Sequence, residues 1–213
     1  MSVKNRFRLM SACLFWMSSV AVLALAGCAS NETSSPNSAE VMVTDPSQVH
    51  WEWQQNAIQM TFSATPDLNY INGQPHALML CFYQLKSKAS FDDLLKQPNG
   101  AARLRQCNNF DQSVVYHQRV FVQPGESVQL DLPRYLGVKS VGLVAGYNNS
   151  MSEEVSRSID IPIDKLSKGL IWRTDYYQPG ILRTHLLLAR HSIETSMTES
   201  ALGKTRSTDK EHH

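Results

Sequence analysis

The sequence has no Gly-x-Ser-x-Gly elbow, no His-Glu-x-x-His, no phosphate-cradling glycine loop and no dinucleotide fingerprint. Each motif sets reactive groups at a spacing its chemistry needs, so their absence argues against the commonest hydrolases, zinc peptidases and nucleotide enzymes. Acids come in the pairs Asp92-Asp93 and Glu153-Glu154. Sequence neighbours point apart, so each pair reads as solvated surface rather than an acid–base couple. The seven histidines are scattered, and the chain is read as non-enzymatic and without cofactor or metal. An excess of one charge is missing too. Beyond residue 27, which follows Lys4, Arg6 and Arg8, 17 basic side chains face 19 acidic ones, a formal −2. Such a balance gives no general electrostatic reason to bind nucleic acid or anionic lipid. No 20–50-residue repeat is visible. The length suits one domain, and 42% apolar residues suffice for its core.

Uncharged apolar runs are also short. Met10 to Ala26 has 17 residues, against the roughly 20 of a spanning helix. With the cations before it and small residues after it, residues 1–27 read as a secretory signal peptide, a retained signal anchor being the alternative. The ending Leu25-Ala26-Gly27-Cys28 resembles the bacterial lipobox. That resemblance implies that Cys28 becomes the first mature residue and is acylated on its thiol and amine. Each buried methylene contributes about 0.8 kcal/mol, so several chains anchor stably where one does not. Ala29 is not the Asp that holds enteric lipoproteins in the inner membrane, which favours the periplasmic face of the outer membrane. Residues 28–49, rich in Ser, Asn, Thr, Glu and Pro, read as a tether.

Cysteine is scarce. With Cys13 in the signal and Cys28 acylated, only Cys81 and Cys107 remain. In an oxidising compartment the two pair or stay as buried free thiols; pairing is the expectation. A bridge would tie the segment around Cys107 to a central strand.

What is present is mostly β signal. Ile58, Met60, Phe62 and Ala64 alternate with polar residues, the period of a half-buried strand. Ala77 to Leu85 is apolar at every position but Gln84, as in a strand covered on both faces. Between them lies a loop with Pro66, Asn69, Asn72-Gly73 and Pro75. Ser90-Phe91-Asp92-Asp93 reads as a helix start with Ser90 as cap, broken by Pro98-Asn99-Gly100 and resumed over 101–107. Then come Val114–Val122, a Gln123-Pro124-Gly125-Glu126 turn of type II, Val128–Leu132, and Lys139–Tyr147 with Gly142 and Gly146 suggesting close packing. Ile159, Ile161 and Ile163 alternate around Pro162, an edge signal. Leu170–Tyr177 and Ile181–Leu188 read as a last pair of strands, and 194–213 as a polar tail. Trp51 and Trp53 read as the start of the first strand, an exposed aromatic patch being the alternative. The sum is an all-β sandwich over 50–193 with a short helical insertion after the second strand.

Leu68-Asn69, Gly73, Pro75, the strand closing on Tyr83-Gln84-Leu85 with Phe91 after it, Pro124-Gly125-Glu126, and Val141 to Tyr147 occur in the order of one family. Over about 57–164 the chain resembles the outer-membrane lipoprotein of bacterial type VI secretion systems, the TssJ or SciN family. The resemblance implies a transthyretin-like sandwich. It also implies docking to the periplasmic domain of the inner-membrane component TssM through the loop Asp67, Leu68, Asn69, Tyr70, Ile71, Asn72, Gly73 and Gln74. From the residues alone, the favoured reading is that Leu68 and Tyr70 fold back onto the sandwich edge; the resemblance turns it toward docking. Asn148–Glu154 is a second candidate contact. The chain departs from the family where many members carry Trp-Arg near the start of the next strand: it has Ser156-Arg157-Ser158, and its only Trp-Arg is Trp172-Arg173. A rival reading is a periplasmic ligand-binding or pilotin-like lipoprotein, which would need a concave apolar pocket.

Overall fold

The computed structural model describes residues 42–148 and 152–198. The signal peptide, Cys28, most of the expected tether, Asn149–Met151 and residues 199–213 lie outside the described residues. In chain order the elements are β1 (Gln54–Ala64), β2 (Leu78–Leu85), α1 (Ala89–Leu95), α2 (Gly100–Leu104), β3 (Val114–Val122), β4 (Ser127–Arg134), β5 (Ser140–Ala145), α3 (Ser152–Val155), β6 (Ser156–Asp160), β7 (Ile163–Lys168), β8 (Thr174–Pro179), β9 (Leu182–Leu188) and β10 (Ile193–Thr198).

The apolar run becomes the inner strand β2, hydrogen-bonded to β3 on one side and β5 on the other in a sheet ordered β3-β2-β5-β6. A strand covered on both faces reads as continuously apolar because neither face meets water. Its exception is informative. Gln84 is fully buried, and its Nε2 donates to the Pro133 carbonyl at 2.9 Å while its Oε1 accepts from Tyr135 N–H at 3.1 Å. It thus serves two backbone groups where β4 ends, in the other sheet.

That other sheet is ordered β10-β9-β1-β4. Ile58, Met60 and Phe62 of β1 and Leu182, Leu186 and Leu188 of β9 meet Leu78, Leu80 and Phe82 of β2 in one core. Each such side chain contributes about 1.5–3 kcal/mol on burial. The β1–β9 pairing is parallel, Ile58 opposite Leu182 and Ala64 opposite Leu188. A third, two-stranded sheet is the β7–β8 hairpin.

The helical insertion follows β2 as expected, with Phe91 and Leu94 buried. Ser90 is not its cap: the N-cap position is Lys88, whose side chain makes no capping hydrogen bond, and the Ser87 hydroxyl accepts from Ala89 N–H at 3.3 Å. Phe91 lies over Gly142 so closely that an added Cβ would stand 2.7 Å from its ring. Gly142→Ala should therefore cost about 1–3 kcal/mol, as overpacking does; a chemical denaturation midpoint unchanged from wild type would refute this contact. Tyr83 anchors the insertion from below. Its hydroxyl donates to the Leu104 carbonyl, and its ring meets Phe91 and Phe110 edge-on at 5.9 and 5.3 Å. Cys81 and Cys107 are disulfide-bonded, with Cα atoms 5.5 Å apart.

Burial pushes the Tyr83 hydroxyl up to about 12, partly offset by backbone N–H groups of Asn108 and Cys107. A phenol raised in the fold favours the neutral form. Its contribution to stability is whole below about pH 10, the unfolded value, and disappears as pH rises through about 12. Unfolding titrations should show alkaline loss in that window, and Tyr83→Phe should reduce it, leaving the part due to Tyr147 and Tyr116, whose hydroxyls burial also pushes up. A Phe variant with an undiminished alkaline slope would assign the loss elsewhere.

Three expectations about the strands are corrected. Leu170–Tyr177 does not pair with Ile181–Leu188; β8 pairs with β7, and β9 with β1 and β10. Leu170, Ile171 and Trp172 belong to no strand at all. The Ile159–Ile163 alternation is not one strand, because Pro162 separates β6 from β7. The polar stretch from Glu194, expected as tail, begins inside β10. At the other end the fold starts before residue 50. Val43 and Tyr177 exchange both backbone hydrogen bonds, at 3.1 and 2.7 Å, and Val49 is buried.

Candidate functional site

The loop after β1 divides into a base and a tip. Leu68 is fully buried and Asn69 nearly so, with the Asn69 Nδ2 donating to the Ala77 carbonyl at 3.1 Å. His76 N–H closes the base on the Leu68 carbonyl at 3.0 Å. Above it, Ile71 and Gln74 exchange backbone hydrogen bonds at 2.9 and 3.1 Å. Asn72 and Gly73 stand between them at φ 51° and 84°. Positive φ at both central positions is the requirement of a type I′ turn, which Asn-Gly meets best. The loop is thus a miniature hairpin on a core-anchored stem. Leu68 folds back into the core, so it is not an apolar tip residue; Asp67, Tyr70 and Ile71 are half-buried, and Asn72, Gly73 and Gln74 are exposed.

A second segment supports that hairpin. The Arg190 guanidinium lies 3.9 Å over the Tyr70 ring, and Tyr70 N–H donates to the Arg190 carbonyl at 3.3 Å. Arg190 belongs to the β9–β10 turn, closed by Ala189 N–H on the Ser192 carbonyl at 2.9 Å. The same turn receives the Tyr147 hydroxyl on its Ser192 carbonyl at 2.8 Å. The Asp67–Gln74 loop and the approach to Asn148–Glu154 therefore meet around Ala189–Ser192. Sequence reasoning missed this turn because β10, its outgoing strand, has little apolar content to mark it.

Arg157, which stands where many family members carry Trp-Arg, donates to the Ser156 and Ile193 carbonyls and so ties β6 to the start of β10. Trp172-Arg173 lies in the β7–β8 loop instead, so the two candidates for the family's Trp-Arg pair serve different elements.

Two places invite a chemical reading. Ser63 Oγ and His185 Nε2 are 2.7 Å apart across β1 and β9. β1 has neighbours on both sides, so its amides there are committed to sheet ladders and supply no oxyanion donors. A depression of about 260 Å³ on the same face is lined by Gln59, Thr61, Gln129, Arg183 and Thr184 among others. It is polar and smaller than the roughly 300–1,000 Å³ of ligand pockets. Among the described residues no cluster of three metal-ligating side chains occurs, and no helix is long and apolar enough to cross a membrane.

A β-rich domain with a braced hairpin, preceded by the lipobox-like Leu25-Ala26-Gly27-Cys28, has the build of an envelope lipoprotein. Residues 56–179 match the family model T6SS-SciN, described as type VI secretion lipoprotein, VasD, EvfM, TssJ. The chain belongs to this family of structural lipoproteins, which are not enzymes. Among solved structures it is similar to the type VI secretion lipoprotein TssJ1 from Pseudomonas aeruginosa, at 19% identity and a TM-score of 0.49, covering 69% of this chain and 98% of that one. It is also similar to Lip of Serratia marcescens, a membrane-bound component of the type VI secretion system, at 15% identity and 0.48, covering 66% and 96%. A chain of a structure titled type VI membrane complex aligns at 17% identity and 0.47, covering 70% and 100%. A comparison with curated protein sequences returns no match.

Proposed function

We propose that this lipoprotein anchors the type VI secretion membrane complex to the periplasmic face of the outer membrane and docks the periplasmic domain of TssM. Acyl chains on Cys28 supply the anchor. The docking surface is the hairpin Asp67–Gln74, with Arg190 beside it and Asn148–Glu154 at its flank. The two sheets and their common core are read as a transthyretin-like sandwich that carries these parts.

The observation behind the docking reading is the construction of the hairpin. Its stem is held by Leu68 in the core and Asn69 on Ala77, so Ile71, Asn72 and Gln74 are presented in one conformation. A pre-ordered contact surface loses little entropy on binding. The ligand-binding alternative draws no such support from the polar depression on the β1–β9 face.

The anchor is tested in cells by membrane fractionation and co-purification of the inner-membrane partner, comparing the wild-type chain with Cys28→Ala. Wild type should float with outer membrane and bring TssM with it, whereas the variant should be lost from the outer-membrane fraction. A Cys28→Ala protein that still fractionates with outer membrane would refute lipid anchoring at this residue.

A further inference from the structure

The β7–β8 hairpin ends in a feature that the docking reading does not use. Leu170, Ile171 and Trp172 are consecutive and 103%, 85% and 87% exposed. The turn that presents them is enforced by Gly169 at φ 111°, where an added Cβ would stand 2.0 Å from the Trp172 carbonyl oxygen. Three large apolar side chains fully in water are costly, and a contiguous patch of this kind marks a contact surface. Lys168 and Arg173 flank them, both exposed. Apolar side chains including a Trp, bordered by cations, match the interface of a phospholipid leaflet: acyl chains take the former and phosphates the latter.

Placement in the fold selects the same occupant. The hairpin is rooted at Pro162 and Gly180, which share a backbone hydrogen bond of 2.7 Å. Gly180 also accepts from Arg134, and Arg134 lies opposite Gln54 at the start of β1. The docking loop leaves from the other end of β1, where Ala64 stands opposite Leu188. The chain arriving from Cys28 is fastened to this hairpin. Val43 pairs with Tyr177, and the Met42 sulfur lies 3.6 Å from the Lys168 ammonium. Met42 is fourteen positions after Cys28, so the hairpin stays within about 50 Å of the acylated residue even at full extension.

We infer that Leu170, Ile171 and Trp172 insert into the interface of the phospholipid leaflet that holds Cys28, as a second, non-covalent membrane contact. Lys168 and Arg173 would meet its phosphate groups. The inference rests on the proposed acylation of Cys28. With lipid at one point only, the domain would swivel freely; a second contact fixes which end faces the membrane and leaves the Asp67–Gln74 end pointing into the periplasm.

The test uses the full mature chain, purified from membranes and reconstituted into vesicles of phosphatidylethanolamine and phosphatidylglycerol with plain or brominated acyl chains. Bromine quenches only tryptophans that reach the acyl region. The mature chain has Trp51, Trp53 and Trp172. Wild type should lose part of its emission in brominated vesicles, and Trp172→Phe should abolish that loss while melting at the wild-type temperature. Equal quenching in both proteins, or none in wild type, overturns the proposal. So does an unquenched wild type whose Leu170→Ser/Trp172→Ser variant no longer retains a protein partner, since the patch is then a protein interface. Mass spectrometry of the Cys28 peptide is read separately. An unmodified peptide counts against the anchor, while quenching of Trp172 still decides the hairpin contact.

Discussion

Replacing Arg134 with alanine is expected to lower the unfolding free energy by about 3–5 kcal/mol. Its guanidinium is buried at the end of β4 and makes three hydrogen bonds to two backbone carbonyls: Nη1 to Gly180 at 3.1 Å, and Nε and Nη2 to Glu52 at 3.4 and 3.3 Å. It also lies 5.4 Å from the centre of the Trp51 ring. One side chain thus holds the entry to β1, the end of β4 and the bend before β9. Truncation leaves two carbonyls short of a donor, at roughly 1–3 kcal/mol each, and adds a cavity. Lysine keeps the charge but not the planar fork, so Arg134→Lys should recover only part of the loss. Denaturant unfolding measures all three proteins. A lysine variant as stable as wild type would show that charge alone matters, and an alanine variant within about 0.5 kcal/mol of wild type would remove Arg134 from the account.

Removing the disulfide is the second large effect. Cys81 sits mid-β2 and Cys107 just after the helical insertion, 26 positions further along the chain. Cross-linking a loop of that length stabilises by roughly 3–4 kcal/mol in the chain-entropy model. The paired substitution Cys81→Ser with Cys107→Ser adds buried hydroxyls to that loss, so about 3–5 kcal/mol is expected, or a fall in Tm on the order of 10 °C. The damage should be local as well. Hydrogen exchange should rise across 89–107, because the ties that remain, among them Tyr83 on Leu104, Arg105 on the Tyr147 carbonyl, Arg119 on the Gln106 carbonyl and Phe91 over Gly142, are all non-covalent. A variant with wild-type Tm and wild-type exchange in this segment would mean that packing alone holds the insertion.

Local pattern carried much of this fold. The β1 alternation, the apolar β2 run and the helical insertion stand where periodicity put them, because each signal reports burial over a few residues. The parallel β1–β9 pairing was not legible, since it joins residues more than 120 positions apart and depends on the whole topology. Apolar content misled at Leu170–Trp172, read as strand when it is an exposed turn. The reverse error fell on β10, whose strand state comes from pairing with β9 rather than from a hydrophobic run. At the candidate site, Asn72-Gly73 announced its turn, and the fold-back of Leu68 that the residues alone favour is what the structure shows, whereas the family resemblance had placed Leu68 in the docking loop. Arg190 was invisible because its part is to brace Tyr70, a residue 120 positions away.

Docking through the Asp67–Gln74 hairpin is most directly tested by calorimetric titration of residues 29–213 with the periplasmic domain of the inner-membrane component. The informative variant is Ile71→Ser with Gln74→Ala, which spares buried Leu68 and the Asn72-Gly73 turn. Wild type should bind, and the folded variant should bind at least about tenfold more weakly, as expected when central contacts are truncated. Equal affinity for the two proteins would contradict docking through this hairpin.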